Sequence, residues 1–284
     1  MAGIDDLMTD AQDAFFADDS VAATRLCARV LGLKRNEGDA YHLAHLALHS
    51  LRLHNAAMTV AQEWGVHCNE SAKQLYAELV SAYLAGNSAV VEYAARALVR
   101  REDASVISKS VAIALAADLH HAVGSAETIR GFKTEDLPSD VLHFMDLLAA
   151  WTELSVGKAE AGLAELQSLA TSHPTSGVAT ALLAVVLYEL DQRAAAQELI
   201  AHNTTDTMST RVARLIVNAT TAPSGDVSAA HDDLGMLNGV PDLLTRRLDQ
   251  SVRGDAPDTH NLAALFPRVP LAPVSRGPAE DTLR

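Results

Sequence analysis

Residues 72–98 read AKQLYAELVSAYL-AGN-SAVVEYAARAL, two stretches of helical apolar spacing divided by a short turn. In the first stretch, apolar residues recur at intervals of three and four, which makes one broad apolar stripe along a helix. Gly86 and Asn87 follow, and both tolerate the left-handed backbone that ends many helices. Val90 and Val91 start a return helix. Residues 72–98 therefore predict an antiparallel helical hairpin.

Similar hairpins recur along the chain. Helix-like segments begin at intervals of 32 to 36 residues, near Asp5, Asp39, Ser71, Ser105, Val141 and Ser176. This spacing is close to the ~34-residue period of tetratricopeptide units. One such unit buries too little apolar surface to offset the entropy lost on ordering it, so neighbouring units must stack. The sequence predicts an all-α fold, a tetratricopeptide-like α-solenoid of antiparallel helix pairs.

The predicted solenoid covers residues 1–266 as a single domain. Its first twelve helices are expected over residues 4–17, 20–33, 39–53, 56–64, 72–84, from 90, 106–121, 125–132, 139–156, 159–170, 176–190 and 193–201. Ser20 is the predicted N-cap of the second helix, and residues 65–69 form a predicted break. Residues 178–190 are apolar nearly all round, which predicts a helix buried on several sides. Weaker helices are expected at 208–219, 227–237, 241–252 and 260–266, and the proline-bearing residues 267–284 predict a disordered tail.

Composition and charge exclude several functions. A net charge of −14 argues against nucleic-acid binding, since a phosphate backbone is held by clustered Lys and Arg. The same charge disfavours docking on an anionic membrane surface, and no run approaches the ~20 apolar residues of a membrane-spanning helix. No signal peptide is visible. Cys27 and Cys68 belong to no paired motif, as expected in a reducing compartment. The sequence predicts a cytoplasmic protein without direct membrane insertion.

Histidines provide the strongest candidate for a chemical site. His42, His45 and His49 share one face of a predicted helix, and imidazoles so placed could bind zinc or copper. No Glu stands between two histidines as in a His-Glu-x-x-His motif, so we interpret them as half-exposed helix residues beside a groove. The chain also lacks a phosphate loop, a Rossmann glycine pattern and a Gly-x-Ser-x-Gly elbow. We predict no enzymatic activity, catalytic residue, cofactor or metal; a metal-dependent enzyme using the His42 face is the alternative.

Aromatic residues recur on the first helix of successive units. In tetratricopeptide-like arrays that helix lines the concave face, and a few aromatic side chains usually dominate a protein interface. The predicted partner-binding residues are Phe15, Phe16, Tyr41, Tyr83, Trp151 and Tyr188. Other aromatics of these helices are interpreted as packing within a repeat.

Two segments of the chain resemble the coatomer epsilon subunit. The first is Asp5-Asp6-Leu7-Met8 followed by Asp13-Ala14-Phe15-Phe16, which is similar to the acidic-Leu opening and Asn-Ala-Phe-Tyr-like tetrapeptide of that family. The second resembles the family's central repeats in order and spacing, and comprises Leu148-Ala149-Ala150-Trp151, Gly157-Lys158, Leu166, His173-Pro174-Thr175 and Ala195-Ala196-Gln197-Glu198-Leu199. Residues 75–132 match only as generic repeats, and the tail after Phe266 departs from the family pattern.

This resemblance implies a non-enzymatic structural subunit of the COPI vesicle coat. In that family the epsilon subunit binds and stabilises the C-terminal region of the coatomer alpha subunit, and through it joins the rest of the coat. The implied role is retrograde Golgi-to-ER and intra-Golgi transport, at the cytosolic face of Golgi membranes and COPI-coated vesicles. The alternative is another protein-binding adaptor, of the vesicle-fusion attachment or co-chaperone type. A co-chaperone needs Lys, Arg and Asn on successive first helices to clamp a carboxylate; these helices carry few, of which Lys73 and Lys109 are the obvious ones, so the sequence disfavours this type.

Overall fold

The computed structural model describes residues 3–174, 176–203 and 207–218. The regular structure of these residues is entirely α-helical, in thirteen helices: α1 Ile4–Phe16, α2 Ser20–Leu33, α3 Gly38–Ser50, α4 His54–Cys68, α5 Ala72–Leu84, α6 Ser88–Arg100, α7 Val106–Asp118, α8 Ala126–Gly131, α9 Ser139–Ser155, α10 Ala159–Ser172, α11 Gly177–Glu189, α12 Arg193–His202 and α13 Met208–Val217. The helices predicted at 227–237, 241–252 and 260–266, and the tail predicted at 267–284, lie outside the described residues.

Consecutive helices pack as antiparallel pairs, and each pair stacks on the next. α1 packs on α2, α3 on α4, α5 on α6, α9 on α10 and α11 on α12, and the second helix of a pair also contacts the first helix of the next. α13 packs chiefly on α11. The predicted all-α solenoid of helix pairs is confirmed.

A residue with a left-handed backbone conformation, that is, with positive φ, follows the first helix of every described pair. These residues are Asp18, Arg52, Gly86, His120, Gly157 and Asp191, at intervals of 34 residues except for 37 between His120 and Gly157. In the third pair, Gly86 N–H donates to the Tyr83 carbonyl and Asn87 N–H to the Ala82 carbonyl, at 3.1 and 2.8 Å. The other five turns repeat both bonds, which satisfy carbonyls at the helix end. The 34-residue repeat is therefore most regular at its turns.

The fourth pair departs from this pattern. Its second helix, α8, has six residues and begins at Ala126, six residues after the left-handed His120 instead of two. Because α8 is short, α7 packs directly against α9. Arg130 of α8 donates to Glu153 of α9 at 3.1 Å and to Glu165 of α10 at 2.5 Å. These charged bonds tie the short helix to the fifth pair.

The first helices of the later pairs form the centre of the core. Every residue from 110 to 117 in α7 and from 179 to 187 in α11 is buried. The prediction of an apolar helix buried on several sides is confirmed for α11. Alanines are frequent in both stretches, and small side chains let neighbouring helices approach closely.

Several predicted helix ends are wrong by two to four residues, and the N-cap of α2 by one. Asp19, not Ser20, caps α2, because the Asp19 Oδ1 accepts the Ala22 N–H at 2.9 Å. α4 continues through Gly65 to Cys68, because this glycine allows close packing: a Cβ there would lie 3.0 Å from the Gln74 side chain. α7 ends at Asp118, since the left-handed His120 starts the turn.

The turn glycines provide a stability test with a matched control. Gly86 has a φ of +74°, and an added Cβ would meet no neighbouring atom within 4 Å. Gly86→Ala therefore adds backbone strain alone, and we expect it to lower the free energy of unfolding by about 1 kcal/mol. Gly32→Ala, inside α2 and also without a neighbour within 4 Å, should raise it by about 0.5–1 kcal/mol. Urea unfolding of both variants measures the two changes, and the opposite ranking would contradict the turn assignment.

Candidate protein-binding surface

Two of the predicted aromatic residues meet at one carboxylate inside the core. The Tyr83 hydroxyl donates to Asp118 Oδ2 at 2.6 Å, and the Trp151 indole N–H donates to Asp118 Oδ1 at 3.0 Å. The three residues lie on α5, α7 and α9, the first helices of three successive pairs. Tyr83 is fully buried and Trp151 is 2% exposed. Asp118 therefore fixes the register of three helical pairs.

Tyr41 is a third predicted residue that lies in the core. Its side chain is 2% exposed, and its ring stacks on that of His67 with 6.3 Å between centroids. Burial, with a smaller effect from Glu63, raises the pKa of Tyr41 to about 12. The structure thus places Tyr41, Tyr83 and Trp151 in repeat packing, where their side chains offer a partner almost no surface.

Phe16, unlike these three aromatic residues, is exposed at the surface. Its side chain is 82% exposed, and its ring meets the half-buried ring of Phe15 edge-on at 6.0 Å between centroids. The helical spacing places Asp5, Asp13 and Phe16 on one face of α1, bordered by Asp6 and Asp10. We call these five residues the acidic face of α1; all five are exposed. This surface thus combines one exposed aromatic side chain with four carboxylates on the same helix.

The charge around Phe16 is of one sign. Residues 3–24 contain six aspartates and no Lys or Arg. Asp18 and Asp19, which are both exposed, continue the negative charge into the turn after Phe16. Such a field attracts cationic groups and repels other acidic surfaces, including a second copy of this chain. The acidic face of α1 therefore favours a basic partner.

Tyr188, the sixth predicted residue, is half-buried near the end of α11. The guanidinium carbon of Arg193 lies 5.5 Å from the centroid of its ring, within cation–π distance. Arg193 also lies 3.3 Å from the Asp191 carboxylate. The ring therefore helps to hold the turn between α11 and α12. Its exposed portion remains available at the surface.

The three predicted histidines separate into two environments. His45 and His49 converge on Ser81 of α5, and each Nε2 lies 2.9 Å from the Ser81 Oγ. The His42 ring packs instead against Trp64, with 5.7 Å between ring centroids. The described residues include no group of three His, Cys, Asp or Glu arranged to hold a metal ion. His45 is buried rather than half-exposed, so the sequence interpretation is wrong for this residue.

The hydrogen bonds around His45 define the tautomer of its neutral ring. The His45 Nε2 lies 3.1 Å from the Ala77 carbonyl, which can only accept, so this nitrogen carries the hydrogen; the Ser81 Oγ–H also reaches the same carbonyl, at 2.8 Å. The neutral His45 ring then carries its lone pair on Nδ1, which is buried without a hydrogen-bond partner. Burial lowers the pKa of His45 to about 4, and burial beside His45 and His54 lowers the pKa of His49 well below its usual value. Both rings are neutral at pH 7.

Comparison with known proteins identifies the fold. No family model matches the chain, and no curated protein matches it. The crystal structure of a tetratricopeptide repeat protein from Parabacteroides merdae is similar, with a TM-score of 0.57 over 86% of this chain and 98% of that chain. The chain has a tetratricopeptide-like α-solenoid fold. At 12% identity, the likeness shows the fold alone.

Sequence reasoning missed Asp118 and Ser81, which both join successive pairs. Ser81 looks like any polar residue of a helix, and Asp118 looks like a charge near a helix end. The signal that could have found them is chain spacing. His45 and His49 lie 36 and 32 residues before Ser81, and Tyr83 and Trp151 lie 35 and 33 residues from Asp118. Each pair is separated by about one repeat.

Removing the shared carboxylate tests its role in the stack. Asp118→Ala deletes the acceptor used by both Tyr83 and Trp151, and hydrogen bonds to a charged group contribute about 1.5–3 kcal/mol each. We expect the free energy of unfolding to fall by at least about 2 kcal/mol. The control, Asp13→Ala on the exposed acidic face of α1, should change it by less than about 0.5 kcal/mol. Equal effects in denaturant melts would show that Asp118 is no more than a surface charge.

Proposed function

We propose that this chain is a non-catalytic scaffold that holds another protein. The observation that carries the proposal is Phe16, 82% exposed on the acidic face of α1 in a repeat array. Stacked helical repeats form extended surfaces that bind other proteins. Aromatic side chains are frequent energetic centres of such interfaces. The acidic face of α1 is therefore the proposed docking surface.

The surrounding aspartates define the chemistry of the proposed partner. A segment that presents Arg or Lys next to an apolar side chain would match both the charge and the exposed ring. Arg is favoured, because its guanidinium can stack on Phe16 while it forms an ion pair with Asp13, three residues earlier on the same helix. The partner is thus expected to be a basic, partly apolar polypeptide segment.

We further propose that the chain is an epsilon-type subunit of the COPI coat, which binds the C-terminal region of the alpha subunit. The support is the resemblance of two segments to that family. Asp13 to Phe16 end α1 at the proposed docking surface, Leu148 to Trp151 lie in α9, and Ala195 to Leu199 lie in α12. The proposed location is the cytosolic face of Golgi membranes and COPI-coated vesicles. None of the described helices is both long enough and apolar enough to cross a bilayer.

A different adaptor is the alternative. Its co-chaperone form is disfavoured by the small number of cations on the first helices, of which Lys73 of α5 and Lys109 of α7 are the obvious ones. The Lys73 Nζ lies 5.8 Å from the centroid of the Trp64 ring, and Lys109 is half-buried. A vesicle-fusion attachment role rests on the fold alone.

Phe16 is the residue whose removal tests the docking surface. Phe16→Ser leaves the core unchanged and removes the exposed ring, so it should weaken binding of the C-terminal region of an alpha-type coat subunit about thirtyfold or more. Tyr93→Ser, at an aromatic residue that is 58% exposed on α6, is the matched control and should change the affinity less than threefold. Isothermal titration calorimetry measures both. Equal affinities for Phe16→Ser and the unmodified protein would exclude the acidic face of α1 as the docking surface.

Affinity capture from the native cytosol, followed by mass spectrometry, separates the two levels of the proposal. Recovery of the other coat subunits, lost in the Phe16→Ser variant, would support both the coat role and the docking surface. Recovery of chaperones or membrane-fusion proteins with the same Phe16 dependence would retain the scaffold and reject the coat role. A chain that captures no protein stoichiometrically would contradict the scaffold function itself.

A further inference from the structure

The apolar core of this solenoid is divided at one place. One cluster of buried apolar residues extends from Leu7 to Ala77 and comprises residues of the first two helical pairs together with Ala77 of α5. The other extends from Leu75 to Val217 and fills the pairs that follow. The division falls where α3 and α4 meet α5. The stack is therefore not uniformly apolar along its length.

Polar side chains fill the boundary between the two clusters. We call this group the polar joint; its members are His45, His49, Gln62, Gln74, Glu78 and Ser81. Four of them are buried, namely His45, Gln74, Glu78 and Ser81. Neighbouring repeats in a solenoid are held mainly by apolar contacts, so a polar boundary is the place where the array separates most easily.

One half of the polar joint is the histidine pair on Ser81. Both Nε2 atoms lie 2.9 Å from a single hydroxyl oxygen, and the two ring centroids are 4.5 Å apart. A proton added to the neutral His45 ring must lie on Nδ1, because its Nε2–H already faces the Ala77 carbonyl at 3.1 Å. The buried Nδ1 of His45 has no acceptor for that proton. A second positive charge at this separation would also repel the first.

The other half of the polar joint is a carboxylate held by two amides. Gln62 and Gln74 each donate from Nε2 to Glu78, both at 3.1 Å, and Gln74 also donates to the Ala61 carbonyl at 2.8 Å. Burial raises the pKa of Glu78. Protonation of this carboxyl therefore favours the closed state in acid and opposes the effect of the histidines.

Few other titratable groups face the histidine pair. From α4, the His54 ring lies 5.1 Å from that of His49, and the effect of this ring lowers the pKa of both residues of the pair. On α3 itself, His42 also lowers the pKa of His45. Other charged residues of the neighbouring helices do not face the histidine pair. Lys73 of α5 lowers the pKa of His42 instead. Arg25 and Arg29 of α2 and the aspartates of α1 are exposed to solvent. No carboxylate is among the groups that shift the pKa of either ring.

We propose that the polar joint is an acid-sensitive hinge, in which protonation of His45 and His49 separates the first two helical pairs from the third. The acidic face of α1 belongs to the separated part. If the proposed docking surface is correct, acid would swing it away from the rest of the array. The hinge itself does not depend on any partner.

The direction of the pH effect follows from the two histidines. Their pKa values are lower in the closed joint than the ordinary value of about 6.5 that they regain when it opens. The contribution of the pair to closure is therefore complete above pH 6.5 and is lost as the pH falls toward 4. One such histidine changes the opening equilibrium about thirtyfold between pH 7.5 and pH 5.0. Glu78 reduces the combined effect at the acid end of this range.

Hydrogen exchange of the full chain, corrected for the intrinsic pH dependence of exchange, tests the hinge. Between pH 7.5 and pH 5.0, amides of α3 and α5 should lose protection about thirtyfold or more, while those of α7, a helix without histidine, lose less than threefold. The double variant His45→Gln and His49→Gln keeps a donor at each position and cannot be protonated, so it should abolish the difference. His143→Gln is the control: its Nε2 also contacts a serine one repeat away, Ser176, and the change should leave the α3 and α5 response intact.

Three outcomes would overturn the proposal. They are an unchanged protection of α3 and α5 in acid, an equal loss along the whole array, and a response that persists in the double variant. If the double variant does not fold, nitrogen-15 spectra of the imidazoles in the unmodified protein decide the matter. Two rings that stay neutral at pH 5.5, with the hydrogen of His45 on Nε2, support the hinge; ordinary titration of every histidine near pH 6.5 excludes it.

Discussion

Each helical pair of this chain can bury its apolar stripe only against the neighbouring pairs. The first helices therefore become the centre of the structure, and α7 and α11 are buried along their full middle turns. Their orientation depends on the left-handed turn after each first helix, which reverses the chain with the same two backbone bonds in all six pairs. Stacking and turn geometry together fix the direction of the array. The exposed residues are those that this packing does not bury.

Local patterns predicted the helices because the stripe and the turn residues are local. Residues 72–84 have the same bounds in prediction and structure, since Ser71 caps the helix and Gly86 ends it. The errors in the predicted helix ends arise where a contact with a residue distant in sequence determines the end of the helix. Gly65 reads as a helix break, yet α4 passes through it because Gln74 packs against its backbone. The short α8 was predicted within one residue at each end, at 125–132, but its bonds from Arg130 to Glu153 and Glu165 were not, because no local pattern reveals them.

The candidate surface was only partly predictable for the same reason. Tyr83, Trp151 and Phe16 are all aromatic residues of first helices, and composition alone does not distinguish their surroundings. Burial separates them: the first two share the Asp118 carboxylate within the stack, while Phe16 lies on a face of α1 that no described helix covers. An aromatic side chain on that face is therefore available to a partner.

The polar joint shows that the coupling between repeats need not be uniform. In a stack held by nearest-neighbour contacts, the weakest boundary determines where partial opening begins. Leu75 and Leu79 of α5 belong to one core and Ala77 to the other, so a single helix carries both sides of the boundary. Replacing the polar contacts by apolar ones would couple the two cores and make the array more cooperative. The buried histidines instead keep the first two pairs separable from the rest and make that separation dependent on protons.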